Sequence, residues 1–234
     1  MKIFLKSLIV LFAIASVALA QTPSAAPKVP AASTPAAATT TTTASSPATT
    51  STTTTNAAPS AEEMKQMMEL AKLNENHKLL ASMAGTWSYT VKMWMAPGAP
   101  PTESTGTAVR KSVMEGRYLT GDYTGKFKMP GADGKMKEMN FQGMSMDAYD
   151  NVKKKFISGW VDNMGTGIMI IEGTYDAATK TFTYTGEAEM MPGMKSKMRQ
   201  VIKMPDKDHM SMEFFEDRGQ GETKSMEITY KRGK

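Results

Sequence analysis

From Thr86 to Lys231 the side chains alternate with a period of two, and no helix-period segment separates neighbouring runs. Such a chain folds into sequential antiparallel hairpins, because a parallel return needs a crossover of a dozen or more residues. The first run is the clearest, with Trp87, Tyr89, Val91, Met93 and Met95 on one side and Ser88, Thr90, Lys92 and Trp94 on the other. It stops at Ala96-Pro97-Gly98-Ala99-Pro100-Pro101. Further strands are predicted over Thr102–Met114, Gly116–Lys128, Met139–Tyr149, Lys155–Asp162, Thr166–Tyr175, Thr181–Glu189, Ser196–Met204, His209–Glu216 and Thr223–Lys231.

Two turns repeat one pattern. Tyr149-Asp150 and Tyr175-Asp176 are each followed by three residues, a Lys, one residue and a Phe. The Asp of each is placed to accept from loop amides while the aromatics close the flanking strands, so both read as hairpins. A meander of ten strands must manage two exposed edges. Closure removes both, so the expected fold is mainly β: an antiparallel up-and-down β-barrel of about ten strands with short N-terminal helices. A flattened or half-open sheet folded over the N-terminal helix is the competing arrangement.

Ser60-Ala61-Glu62-Glu63 is a capping box and starts a helix whose Met64, Met67, Met68 and Ala71 form one stripe. A second helical segment, His77 to Met83, carries Leu79, Leu80 and Met83. Both are expected to cover one end of the barrel; the alternative for the first helix is a docking face.

Three zones precede or contain these elements. Residues 1–20 read as a signal peptide: Lys2 and Lys6, an apolar run from Leu8 to Ala15, then Ala18-Leu19-Ala20. The run is too short to span a bilayer. Residues 21–60 hold 13 Thr, 11 Ala, 6 Ser and 6 Pro, a disordered linker by composition. Residues 61–234 form one β-barrel domain. The expected location is the periplasm or outside the cell, with no membrane span in the mature chain.

Composition narrows the chemistry. With no Cys there is no disulfide framework, thiol nucleophile or thiolate cluster, and two His exclude a three-imidazole metal centre from one chain. Outside the leader and linker the charges nearly balance, so nucleic acid is not an expected partner. No cofactor is expected, and no nucleophile has an identified base, so the chain is not expected to be an enzyme.

The candidate ligand-binding residues are Trp87, Tyr89 and Met93 on the first strand, Arg117 and Tyr118 on the third, and Trp160, Asp162, Asn163 and Met164 at a loop. Trp160 and Asp162 share one face, and this loop serves either as a barrel mouth or as a purely structural turn. Arg117 clamps an anion if it points inward and pairs with Glu115 if it stays at the rim. Met residues number 23. Met93-x-Met95, Met144-x-Met146 and Met210-x-Met212 fit an adaptable apolar lining. Met190, Met191, Met194 and Met198 around Pro192-Gly193 form a candidate Cu(I) or Ag(I) site, thioethers being soft ligands. Three functions therefore compete: a barrel binding a small apolar ligand, a Met-based metal binder, and an interaction module for an envelope protein.

His77-Lys78-Leu79-Leu80, Gly85-Thr86-Trp87, Met95-Ala96-Pro97-Gly98, Gly116-Arg117-Tyr118-Leu119, Tyr149-Asp150-Asn151 and the run from Trp160 to Met169 together resemble the bacterial domain family of unknown function numbered 1579. The resemblance spans His77 to Lys231 and implies a fold without an activity. Gly85-Thr86-Trp87 also resembles the opening of the calycin barrels (lipocalin, fatty-acid-binding and nitrobindin-like), which implies that Trp87 seals the closed end. In the haem-binding members a C-terminal His holds the iron; His209 lies in a turn and is expected to face solvent.

Overall fold

The structure, a computed structural model, describes residues 58–131 and 133–233; the expected signal peptide and nearly all of the expected linker lie outside the described residues. Ten strands follow two helices: α1 (Ala61–Leu70), α2 (Glu75–Ser82), β1 (Gly85–Met93), β2 (Thr102–Val113), β3 (Tyr118–Pro130), β4 (Met136–Asp150), β5 (Lys155–Asp162), β6 (Met169–Asp176), β7 (Thr181–Met191), β8 (Met194–Lys203), β9 (His209–Asp217) and β10 (Thr223–Arg232). Each strand pairs antiparallel with its sequence neighbours, and β1 pairs with β10, closing the barrel. Closure leaves no edge strand, which settles the choice against a half-open sheet. No described helix is long and apolar enough to cross a membrane.

The repeated Tyr-Asp motif makes two like hairpins. Asp150 accepts from the amides of Val152 and Lys153, and Asp176 from that of Ala178. Lys154 and Lys180, which correspond in the motif, both take positive φ, 54° and 51°.

One end of the barrel is shut by α2. Its N-terminus is capped by Asn74, with the amide of Asn74 donating to His77 Nδ1. From this helix and the turn after it, Leu80 and Met83 pack onto Trp87, Leu119, Phe156 and Phe182, all essentially excluded from solvent. Trp87 Nε1 donates to Met83 O at 3.1 Å, and the Arg232 guanidinium lies 4.2 Å from the indole ring centre.

α1 departs from expectation. Its capping box forms, but no residue of it is buried. The floor is already filled by α2, so the Met stripe has no apolar surface left to meet. The helix is held by its C-terminal end: Asn151 Nδ2 donates to Leu70 O and Lys72 O at 2.8 Å each, and Arg117 Nη1 to Ala71 O at 2.7 Å.

The inward set on β1 is the predicted one, but the Met-x-Met pairs divide. Met210 and Met212 pack with the core, whereas Met144 and Met146 point out of the barrel and are more than half exposed. The inward phase of β4 belongs instead to Phe141, Gly143, Ser145, Asp147 and Tyr149. Met95 lies beyond the end of β1.

Candidate functional site

Three levels stack along the barrel axis above the floor. The lowest is a polar girdle. Arg110 on β2 and Asp147 on β4 form an ion pair, Nη2 to Oδ2 at 2.9 Å, with side chains only 6% and 9% exposed. Ser158 Oγ donates to Asp147 Oδ1 at 2.6 Å, and Ser145 Oγ approaches Oδ2 at 3.4 Å. The remaining Nη1 of Arg110 faces the sulfurs of Met83 and Met210 at 3.7 and 3.9 Å. Its Nε is buried with no hydrogen-bond partner among the described residues. Burial disfavours the guanidinium charge, but the acidic groups around it, Tyr123, Asp147 and Tyr230, outweigh this and hold its pKa above the ordinary value.

Tyrosines surround the pair. Burial raises the pKa of Tyr89 to about 12, and Tyr123 beside it adds to the effect. The Tyr89 hydroxyl donates to Thr124 O at 3.0 Å, which also requires the neutral phenol. Burial pushes Tyr184 and Tyr230 further in the same direction, against the pull of Arg110. A phenol whose pKa is higher folded than unfolded adds stability that is whole below pH 10 and is lost as pH rises through the folded value. Alkaline titration followed by tyrosinate absorbance should therefore show three of the seven tyrosines silent between pH 10 and about 12, their ionisation coinciding with unfolding. Seven phenols titrating together near pH 10, with the fold intact, would contradict this girdle.

Aromatic rings make the next level. Tyr123 meets the edge of Trp160 with ring centres 5.0 Å apart; Phe141 stacks on Trp160 at 6.3 Å and 17°; Phe127 meets Phe141 edge-on at 6.3 Å. Glycines make this arrangement fit. A Cβ at Gly143 would stand 2.6 Å from the Trp160 ring, and one at Gly106 would collide with Tyr89, so each ring lies flat across a neighbouring strand. Trp160 Nε1 donates to Asp162 Oδ2 at 2.8 Å, while Asp162 Oδ1 accepts from the amide of Met164 at 2.9 Å. Met93 and Met139 stand at the open rim, each about two-fifths exposed.

The sequence-predicted residues thus fall into separate places. Trp160 and Asp162 bond each other toward the open end, and Met93 stands separately at the end of β1. Trp87 and Tyr89 share their inward face; Trp87 lies in the floor, while Tyr89 sits against Tyr123 and Tyr230. Arg117 is exposed outside the floor and bound to Ala71 O, so it does not point inward; Tyr118 takes the outward phase of β3. Asn163 is committed to the turn, its side chain bonding the amide of Gln142 and the carbonyl of Asn140. Register sets Met191 opposite Met194 across the β7–β8 hairpin, while Met198 is buried in the wall. The side chains of Met190 and Met191 lie outside the described atoms. Among the described residues no group of three or more His, Cys, Asp or Glu is arranged to hold a metal.

Arg110 and Asp147 were absent from the sequence-derived set. The signal was there: each has the inward parity of its strand, Arg110 with Ala108 and Asp147 with Tyr149, and they carry opposite charges. Two open depressions mark the surface. One, of about 400 Å³, is lined by Gly186, Lys197, Met198, Arg199 and Glu222 among others; the second lies along α1. Neither is an enclosed chamber on the barrel axis.

A family model described as "Protein of unknown function (DUF1579)" matches residues 72–232, which takes in α2 and the whole barrel. No curated protein matches the chain.

Proposed function

This chain belongs to the DUF1579 family, and because that family's description carries no activity we propose a function from the geometry alone: an exported, non-enzymatic barrel that binds a small, largely apolar molecule at its open mouth. The carrying observation is the convergence of Tyr123, Phe127, Phe141 and Trp160 on one end of the barrel, with the Asp162 carboxylate beside the indole. An aromatic surface with one polar group beside it suits an apolar ring system bearing a hydrogen-bond donor. Partly exposed Met93 and Met139 give the rim a surface that can reshape around its guest.

Two assays test this. Mass spectrometry of protein incubated with an extract of bacterial lipids should show retained apolar species. Titration with the naphthalene dye 1-anilinonaphthalene-8-sulfonate should quench Trp160 fluorescence, with Trp87→Phe and Trp94→Phe used to isolate that signal. Trp160→Ala is expected to weaken dye binding at least ~10-fold, about 1.4 kcal/mol. Unaltered affinity in Trp160→Ala, with nothing retained from the extract, would remove the proposal.

A further inference from the structure

Several residues that carry the family resemblance gather at the floor end, away from the mouth. His77 of α2 is an ionisable side chain on a short helix, yet it is only 6% exposed. Its Nδ1 accepts from the amide of Asn74 at 3.1 Å, a role that requires this nitrogen to carry no proton. Asn74 is bonded onward to the β4–β5 turn, its Nδ2 donating to Asn151 Oδ1 at 2.7 Å. Asn151 in turn donates to the carbonyls of Leu70 and Lys72. One hydrogen-bonded chain therefore runs from the imidazole through two asparagines to the end of α1.

A proton on Nδ1 breaks this chain at its first link. The protonated nitrogen and the Asn74 amide would be two donors facing each other. Turning instead to Asn74 Oδ1, 3.1 Å away, the ring would draw that oxygen from the Asn76 amide that it caps. The charge would also act against Arg117 in the turn before β3, which holds α1 through Ala71 O. From β4 the ring meets Tyr149 edge-on, with centres 5.7 Å apart. Other charges near the helix are committed or solvated: Glu75 and Lys78 pair with each other at 2.7 Å, Arg110 of β2 is bound to Asp147, and Glu115 is exposed.

We propose that His77 is an acid-released latch: neutral, it fastens α1 and the first turn of α2 to the barrel, and protonated it frees them while Leu80 and Met83 keep the floor shut. Burial lowers the pKa of the fastened ring below the ordinary imidazole value; the Arg117 charge adds to this, and a hydrogen bond to the Tyr149 backbone acts the other way. The freed ring titrates near its ordinary value of about 6.5. The latch is therefore whole above that pH, weakens as pH falls below it, and changes no further once the lower value of the fastened ring is passed.

The chain has two His, so the ring can be read directly. Proton NMR of the full chain, with His209→Gln to assign the signals, gives the His77 titration. Hydrogen exchange over the same pH range gives the protection factors of the Ala71 and Lys78 amides, which close on Met67 O and Asn74 O. The ring is expected to titrate below its ordinary value. Protection at these two amides should fall ~10-fold for each unit of that depression, while amides pairing β1 with β10 keep theirs. His77→Gln supplies an uncharged acceptor at the same capping position and should make the protection independent of pH. Constant protection at Ala71 and Lys78 while the ring titrates overturns the proposal. So does a ring that titrates at its ordinary value, one that stays neutral until the whole barrel unfolds, or a loss that persists in His77→Gln. If His77→Gln does not fold, the comparison within the unsubstituted chain decides alone.

Discussion

Asp147→Ala is expected to destabilise the barrel by about 3–5 kcal/mol, because it leaves the Arg110 guanidinium buried without its counter-charge. Two features of the site make the loss severe. Arg110 already has one buried nitrogen unpartnered, and its Nη1 faces only thioether sulfur, so Asp147 supplies the strong acceptor. Ser158 loses its acceptor in the same substitution. Arg110→Met is expected to harm less than Asp147→Ala, since the carboxylate keeps its two serine neighbours.

The double change Arg110→Met with Asp147→Leu should recover most of the stability, as a packed apolar pair replaces a buried ion pair at little cost. Urea unfolding of the unsubstituted chain, Arg110→Met, Asp147→Leu and the double variant gives the coupling energy directly. A double variant as unstable as Asp147→Ala alone would mean that the hydroxyls of Ser145 and Ser158, rather than the charge pair, define the girdle. The outcome bears on function as well. An ion pair that can be exchanged for Met and Leu without loss of dye binding serves the wall, and ligand contact then stops at the aromatic level above it.

The strands were legible in the sequence because alternation is a local property and the turns carry their own chemistry. Lys155–Asp162 has the predicted limits, and the Asp150 and Asp176 turns bond as their motif requires. Facing was legible only where aromatic and polar residues took opposite phases. On β4 the two Met residues suggested an inward face, yet inward positions there are Gly143, Ser145 and Asp147, which give room to Trp160 on the neighbouring strand and a counter-charge to Arg110 on β2. No local pattern reports that requirement. α1 failed for a related reason: its capping box and stripe specify a helix, while whether the floor has space for it depends on α2. Arg117 shows the limit most clearly, its side chain being drawn outward by a carbonyl 46 positions earlier in the chain.

Trp87→Ala is expected to cost about 3–5 kcal/mol and, beyond that, to loosen the seam where the barrel closes. The indole joins three pieces of the chain: its ring fills the floor, its Nε1 holds the carbonyl of Met83 after α2, and its face carries Arg232 at the end of β10. Arg232 in turn donates to the carbonyls of Ala84, Ser82 and Lys207, so the last strand is bound to the first both by the ladder and by this stacked side chain. Removing the ring creates a cavity and deprives the guanidinium of its platform together. Trp87→Phe keeps an aromatic face and loses the Nε1 hydrogen bond, so it should fall well short of the Ala variant, by about 1 kcal/mol for the bond plus a smaller packing loss. Hydrogen exchange separates the two effects. If the seam opens, amides pairing β1 with β10 exchange early in Trp87→Ala while those between β4 and β5 keep their protection; uniform loss across the barrel would instead mark a floor that stabilises the whole without governing its closure.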